Sequence, residues 1–223
     1  GGLIKRLFEE YVTPETGVDI EMSVLPYSNL FDKLSTSLSN ESASYDMFAM
    51  DDPWMPRFAQ YLEPVRNHVD DLPTDQLIDS TLQIGTWPPD AYAAPPNAEG
   101  EPQLLALCAV GNSHIFVYNE AYYDQVGFDE PSTWNDVYEA GTAISDQIDG
   151  ADGYAIRGKN GNPVTAAYFS PGMSMAGQMF DDEFRFDWAD EKGIQAVDFF
   201  LNDLKSISPD GVSAWNSEQV LNS

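Results

Sequence analysis

The sequence predicts an α/β fold with a largely parallel sheet, and three observations carry that expectation. Segments that alternate apolar and polar residues give way repeatedly to segments whose apolar residues fall three and four apart. The 223 residues are 43% hydrophobic and 13% aromatic, enough to bury a real core and to exclude a disordered chain. That length is about one and a half average domains, so one large body or two small lobes fit it.

Taken in order, the elements follow from local signals. Leu3, Ile4, Leu7, Phe8 and Tyr11 share one helix face, and Pro14 and Gly17 are expected to end it. Val18, Ile20, Met22 and Val24 alternate with polar residues, as in a half-buried strand. A second helix starts near Pro26 and Tyr27 and turns Leu30, Phe31, Leu34 and Leu38 to one side. Residues 45–50 read as a short buried strand ending at Asp51, Asp52, Pro53 and Trp54, with helix following to about Tyr61. Pro88, Pro89, Pro95, Pro96 and Pro102 mark residues 86–102 as loop. Strands are expected over residues 104–110 and 115–118, a helix over 119–127, and another over 134–148 capped by Ser132 or Thr133. Residues 154–157 read as strand, and Lys159, Asn160 and Gly161 as a turn. Residues 165–179 read as partly helical and bent at Pro171 and Gly172. Ile194, Val197, Phe200, Leu201 and Leu204 read as the face of a last helix. An α/β lobe normally begins with a strand, so this reading expects further polypeptide before Gly1 and after Ser223.

Charge narrows the function. Asp and Glu number 37 against 10 Lys and Arg, a formal net charge of -27 spread along the whole chain. Such a surface repels nucleic-acid phosphates and anionic lipid heads, so neither is an expected partner. No apolar run approaches the roughly 18 residues of a membrane span. The single cysteine, Cys108, excludes an intramolecular disulfide framework and a multi-cysteine zinc site. No cofactor and no metal are expected. The composition, with only Lys5, Lys33, Lys159, Lys192 and Lys205 as lysines, resembles that of proteins from salt-loving archaea. At molar salt the screening length falls to about 3 Å and self-repulsion largely vanishes.

The order of motifs then carries a resemblance. Thr16-Gly17-Val18-Asp19-Ile20 after a helix, Pro26-Tyr27 with Leu30 and Leu34, and Tyr45-Asp46-Met47-Phe48 come first. Asp51 to Trp54, Phe58-Ala59 and Leu62-Glu63-Pro64 follow, then Val117-Tyr118-Asn119 and Gly127-Phe128 with Pro131, Thr133 and Trp134. Gly153-Tyr154 and Gly193-Ile194-Gln195-Ala196-Val197 complete the series. In this order, over nearly the whole chain, they resemble the family 1 extracellular solute-binding proteins of ABC importers. The chain departs from the family in carrying Cys108-Ala109-Val110 where a proline is usual, and it lacks the first strand and the Gly-rich return after Trp215. The resemblance implies a two-lobed fold of the periplasmic-binding-protein type (type II), residues 1–114 forming the first α/β lobe and 115–223 the second. It further implies closure of the lobes on a small-molecule ligand, most commonly a mono- or oligosaccharide. Delivery would be to ABC permease subunits. It implies a non-catalytic monomer outside the cell, held at the surface by a lipid anchor.

The chemistry of a sugar site can be read from the residues themselves. Hydroxyl groups call for carboxylate or amide partners, and ring faces call for flat aromatics. Ligands of α/β sheets sit beyond the carboxyl ends of strands, which is where Tyr27, Asp51, Asp52 and Trp54 fall. Asp51 or Asp52 can accept two hydroxyl hydrogen bonds, and Trp54 can stack on a ring; the competing role is helix capping by Asp52 and core filling by Trp54. Asn112 and His114 lie between two expected strands and can donate to hydroxyls. Asn162, Thr165, Tyr168, Phe169 and Met173 flank a helix start, with one or two expected to face a ligand, and Trp215 can complete a far wall. Trp134 is expected to pack internally. The run from Gly153 to Asn160 lacks the Ser or Thr of a phosphate loop. Tyr122 and Tyr123 are adjacent on a helix and diverge, which disfavours an iron site. Two readings compete with sugar binding. One is the same fold serving a polyamine, phosphate ester or metal. The other is a glycosidase, which needs two carboxyls flanking one bond at about 5 to 10 Å.

Overall fold

A computed structural model describes residues 2–42, 44–90, 94–95, 98–111 and 113–223. The chain gathers into two compact units, Gly1–Gly111 and Asn112–Ser223.

In the first unit α1 (Gly2–Leu7) passes through a π-helical turn (Phe8–Val12) into α2 (Thr13–Thr16). Pro14 does not end this helix. It lies inside a continuous helical run, just after the π-helical turn, and the helix goes on for one more turn without the N–H that proline lacks. Gly17 does end it, at φ 71° and with its N–H donating to the Thr13 carbonyl. Helix α3 (Tyr27–Ser39) buries Leu34 at 2% exposure. The helical stretch expected after Trp54 is present in pieces: a 3-10 turn (Asp52–Trp54), α4 (Met55–Phe58) and a second 3-10 turn (Ala59–Tyr61). Met55 and Phe58 are buried with Leu34, and the rings of Phe31, Phe48 and Trp54 pack around Phe58. Helix α5 (Asp79–Gly85), which no sequence signal suggested, leads into β1 (Thr86–Trp87). This strand pairs antiparallel with β2 (Gln103–Leu104), Thr86 opposite Leu104 and Trp87 opposite Gln103. Only glycine fits at 85, because a Cβ there would lie 2.2 Å from the Ala106 carbonyl oxygen.

Apart from one bridge between Phe180 and Phe186, β1–β2 is the only strand pairing among the described residues, and it is not parallel. Residues 18–24, 45–50, 105–110, 115–118 and 154–157 carry strand patterns but form no ladder. Val18, Val24, Met47, Val110, Ile115 and Val117 are exposed. Alternation decides which side chains share a face, but a strand exists only when a neighbour supplies its N–H and C=O partners.

In the second unit α6 (Glu120–Val126) starts at Asn119, whose side chain accepts the Tyr122 N–H, and closes at Gly127. Helix α7 (Trp134–Gln147) is capped by Thr133. Helix α8 (Asn162–Ala176) runs on through Pro171, and Gly172 lies so close to the Trp188 ring that a Cβ would meet it at 2.9 Å. Helix α9 (Glu191–Asp198) continues as a π-helical turn (Phe199–Leu204), and α10 (Ser217–Asn222) follows its Asn216 cap. The core is Val137, Ile156, Phe200, Leu204, Ile207 and Val212, with a second cluster of Tyr123, Ala140 and Ile144. Segment 153–159 reaches this core as irregular chain: the Gly153 and Tyr154 N–H groups donate to the Ile207 carbonyl, and that of Lys159 to Trp215.

Helix α9 and its π-helical continuation bury only part of the expected apolar face. Phe200 and Leu204 face inward as expected, together with Gly193 and Ala196, while Ile194, Val197 and Leu201 are 64%, 42% and 50% exposed. At the start of the buried side a Cβ on residue 193 would stand 2.0 Å from the Trp188 carbonyl oxygen, so only glycine fits there.

Candidate ligand-binding site

The first unit brings four of the expected residues together. Tyr27 opens α3, one turn ahead of Phe31, and Asp51 precedes the 3-10 turn that carries Asp52 and Trp54. The Tyr27 hydroxyl donates to Asp51 Oδ2 at 2.5 Å. The Tyr27 and Trp54 rings stand 5.3 Å apart at 38°, and Phe31 meets Trp54 edge-on at 5.2 Å. Neither aspartate caps a helix: no side-chain cap bond is made at Asp51 or at the start of α4, where Trp54 holds the cap position. Both carboxylates therefore remain acceptors beside a half-buried indole.

The electrostatics follow from this proximity. Burial raises the Tyr27 phenol to about 12, helped by the hydrogen bond to Asp51 and by the charges of Asp51 and Asp52, and opposed by a hydrogen bond with Trp54. The Asp52 carboxyl is also raised, by burial first and then by the Asp51 carboxylate beside it. Two carboxylates placed this closely resist ionising together, and any donor that reaches them relieves the strain.

The second unit arranges its candidates differently. Asn162, Thr165, Phe169 and Met173, spaced three and four apart on α8, form one exposed row. The Thr165 hydroxyl donates to the Gly161 carbonyl at 3.1 Å. Tyr168 lies off this row, with its ring against Trp188 and Phe200. Trp215 packs against the core cluster. His114 is exposed, and Asn112 lies outside the described residues.

An open depression of about 520 Å³ in this unit has Phe116, Trp134, Val137, Ser174, Met175 and Phe199 among its walls. None of the described residues expected to bind ligand lines it. Trp134 packs inside the unit as expected, against Phe116 and Tyr154, and also walls the depression. The sequence signal available for it was the Thr133-Trp134 step, which reads equally well as helix start and core. Among the described residues no group of three or more His, Cys, Asp or Glu side chains is placed to hold a metal ion, and no helix is long and apolar enough to cross a membrane.

Comparison with known proteins places these features in a context. A family model described as bacterial extracellular solute-binding protein matches residues 1–223. A probable amino-acid ABC transporter periplasmic-binding protein of Sinorhizobium fredii is 28% identical over 214 residues, 95% of this chain and 48% of the relative. Among solved structures, an ABC transporter solute-binding protein from Agrobacterium radiobacter in complex with ribitol superposes with a TM-score of 0.74 at 16% identity, covering 97% of this chain and 52% of that one. Maltose-bound T. maritima MalE3 gives 0.72 at 18% identity, covering 97% and 53%. The chain thus spans about half the length of the relatives it matches. The likeness shows the fold as that of the two-lobed α/β solute-binding class (type II), whose pattern of alternating elements the sequence carries.

Proposed function

The chain belongs to the bacterial extracellular solute-binding protein family, matched across residues 1–223, and from that premise we propose that it captures a carbohydrate or polyol outside the cell and hands it to the permease of an ABC importer. One observation carries the choice of ligand class: Tyr27, Asp51, Asp52 and Trp54 assemble paired carboxylate acceptors next to an aromatic face. Hydroxyl donors and apolar ring faces are what a sugar or polyol presents, and ribitol and maltose are the ligands of the two structural neighbours.

In this reading residues 1–114 form one lobe and 115–223 the other. The second lobe (115–223) contributes Asn162, Thr165, Phe169 and Met173 from the α8 row and Trp215, while Asn112 and His114, at the end of the first, are further contacts. The protein is a monomer that binds without catalysing, needs no cofactor and is tethered to the cell surface by lipid. Its acidity is an adaptation to a salt-rich medium. A solute with an exposed anion, such as a phosphate ester, fits poorly against two carboxylates. A glycosidase is disfavoured because Asp51 is already engaged by Tyr27 and the pair is adjacent in sequence.

Thermal-shift and calorimetric titration of the intact protein at molar salt, against ribitol, mannitol, maltose and free amino acids, tests the proposal. A saturable response to a polyol or saccharide and none to amino acids is expected. Silence toward every saccharide and polyol overturns it, and turnover of a chromogenic glycoside would replace it with the hydrolase reading.

A further inference from the structure

The sequence suggests Tyr27 as a ligand contact, but its hydroxyl is already committed. It donates to Asp51 Oδ2 at 2.5 Å, and its ring packs against that of Trp54 at 5.3 Å and 38°. A hydrogen bond to a carboxylate is charge-assisted and fixes the orientation of both partners. Tyr27 itself sits at the first turn of α3, anchored through Leu34 and Phe31, while Asp51 and Trp54 belong to a separate 3-10 turn. Its ring, 50% exposed, therefore links two elements that nothing in the local sequence ties together.

We propose that Tyr27 is a positioning residue: its hydroxyl orients the Asp51 carboxylate and its ring holds the Trp54 indole, so that a guest meets a fixed acceptor beside an aromatic face. This inference rests on the ligand-site reading above and deepens it. With the Tyr27 O–H spent on Asp51, that hydroxyl is no donor to a guest, and the carboxylate pair faces it as acceptors. Such a set selects guests rich in donors, polyols above all, and rejects guests that offer a carboxylate. Tyr27→Phe keeps the ring contact with Trp54 and releases the Asp51 carboxylate.

The test is a double-mutant cycle on the intact protein, with ribitol, mannitol and maltose as probes and calorimetry as readout. Tyr27→Phe weakens probe binding by about tenfold, the scale of a hydrogen bond to a charged group, with little change in melting temperature. Added to Asp51→Asn, the same substitution changes affinity by less than about twofold, because a positioning effect is lost once its target is gone. Equal affinity of wild type and Tyr27→Phe overturns the proposal alone. Additive losses also overturn it, since they mark a direct contact between Tyr27 and the guest. Wild type that binds no saccharide or polyol overturns the ligand-site reading and this proposal with it. Should Asp51→Asn abolish binding, an ultraviolet titration of the ligand-free protein decides. The phenol signal missing from Tyr27→Phe must titrate lower in Asp51→Asn than in wild type, and an unmoved signal overturns the proposal.

Discussion

Asp136 shows how a single carboxylate can be read from sequence down to its titration. The Thr133-to-Asp136 spacing marks a helix start, and the structure closes both halves of the capping box. The Thr133 hydroxyl accepts the Asp136 N–H at 3.1 Å, and Asp136 Oδ2 accepts the N–H groups of Thr133 and Ser132 at 2.8 and 2.9 Å. These bonds, that of the Ser132 backbone foremost, hold the carboxyl below its usual range. A carboxyl whose folded value lies below its unfolded one stabilises the fold above the unfolded value of about 4 and loses that contribution as pH falls through the folded value. Asp136→Asn should therefore shrink the loss of stability between pH 7 and pH 3, measured by urea unfolding at each pH. Acid limbs that coincide for variant and wild type would contradict this. Caps and acceptors of this kind are legible because their partners lie within four residues. The bond between Tyr27 and Asp51, 24 residues apart, is not; the sequence nominated both residues but held no sign that they touch.

At the scale of the element, helices could be placed from the sequence and faces and ladders less well. Helices α3, α6 and α7 begin and end within a residue or two of their signals, since caps, glycines and periodicity are local. The strands expected over residues 18–24 and 115–118 form no ladder, because ladders depend on partners remote in the chain. The face of α9 and its continuation is legible in part: Phe200 and Leu204 are buried as expected, while at the helix start the close Gly193–Trp188 approach admits only glycine and Ile194 stays exposed. The two faces predict opposite outcomes. Phe200→Ala, at 4% exposure, should cost about 3 to 5 kcal/mol. Leu201→Ala, on the outer side, should stay within about 0.5 kcal/mol. Urea midpoints of the two variants measured side by side check the assignment, and comparable losses would show that Leu201 is covered after all.

For the whole molecule, charge outweighs any single contact. Among the described residues, ion pairs such as Lys5–Glu9, Arg6–Glu10 and Arg185–Asp181 are solvent-exposed and offset little of the excess of 27 negative charges. Repulsion acts over about 10 Å at 0.1 M salt and about 3 Å at 1 M. The melting temperature should therefore climb steeply between 0.1 and about 2 M KCl, followed by circular dichroism. A flat profile would show that the acidity has no part in salt tolerance. The two-unit α/β character came through in the order of motifs; the partition of charge between a binding site and a general coat did not, because both use the same two residue types.

The outward stripe of Ile194, Val197 and Leu201 gives salt a second, opposing effect. Strongly hydrated salts raise the free energy of wetted hydrocarbon, so the concentration that relieves repulsion within one molecule also draws bare aliphatic stripes on different molecules toward one another. Folding and solubility then pull in different directions, and the usable window of brine is bounded below by unfolding and above by precipitation.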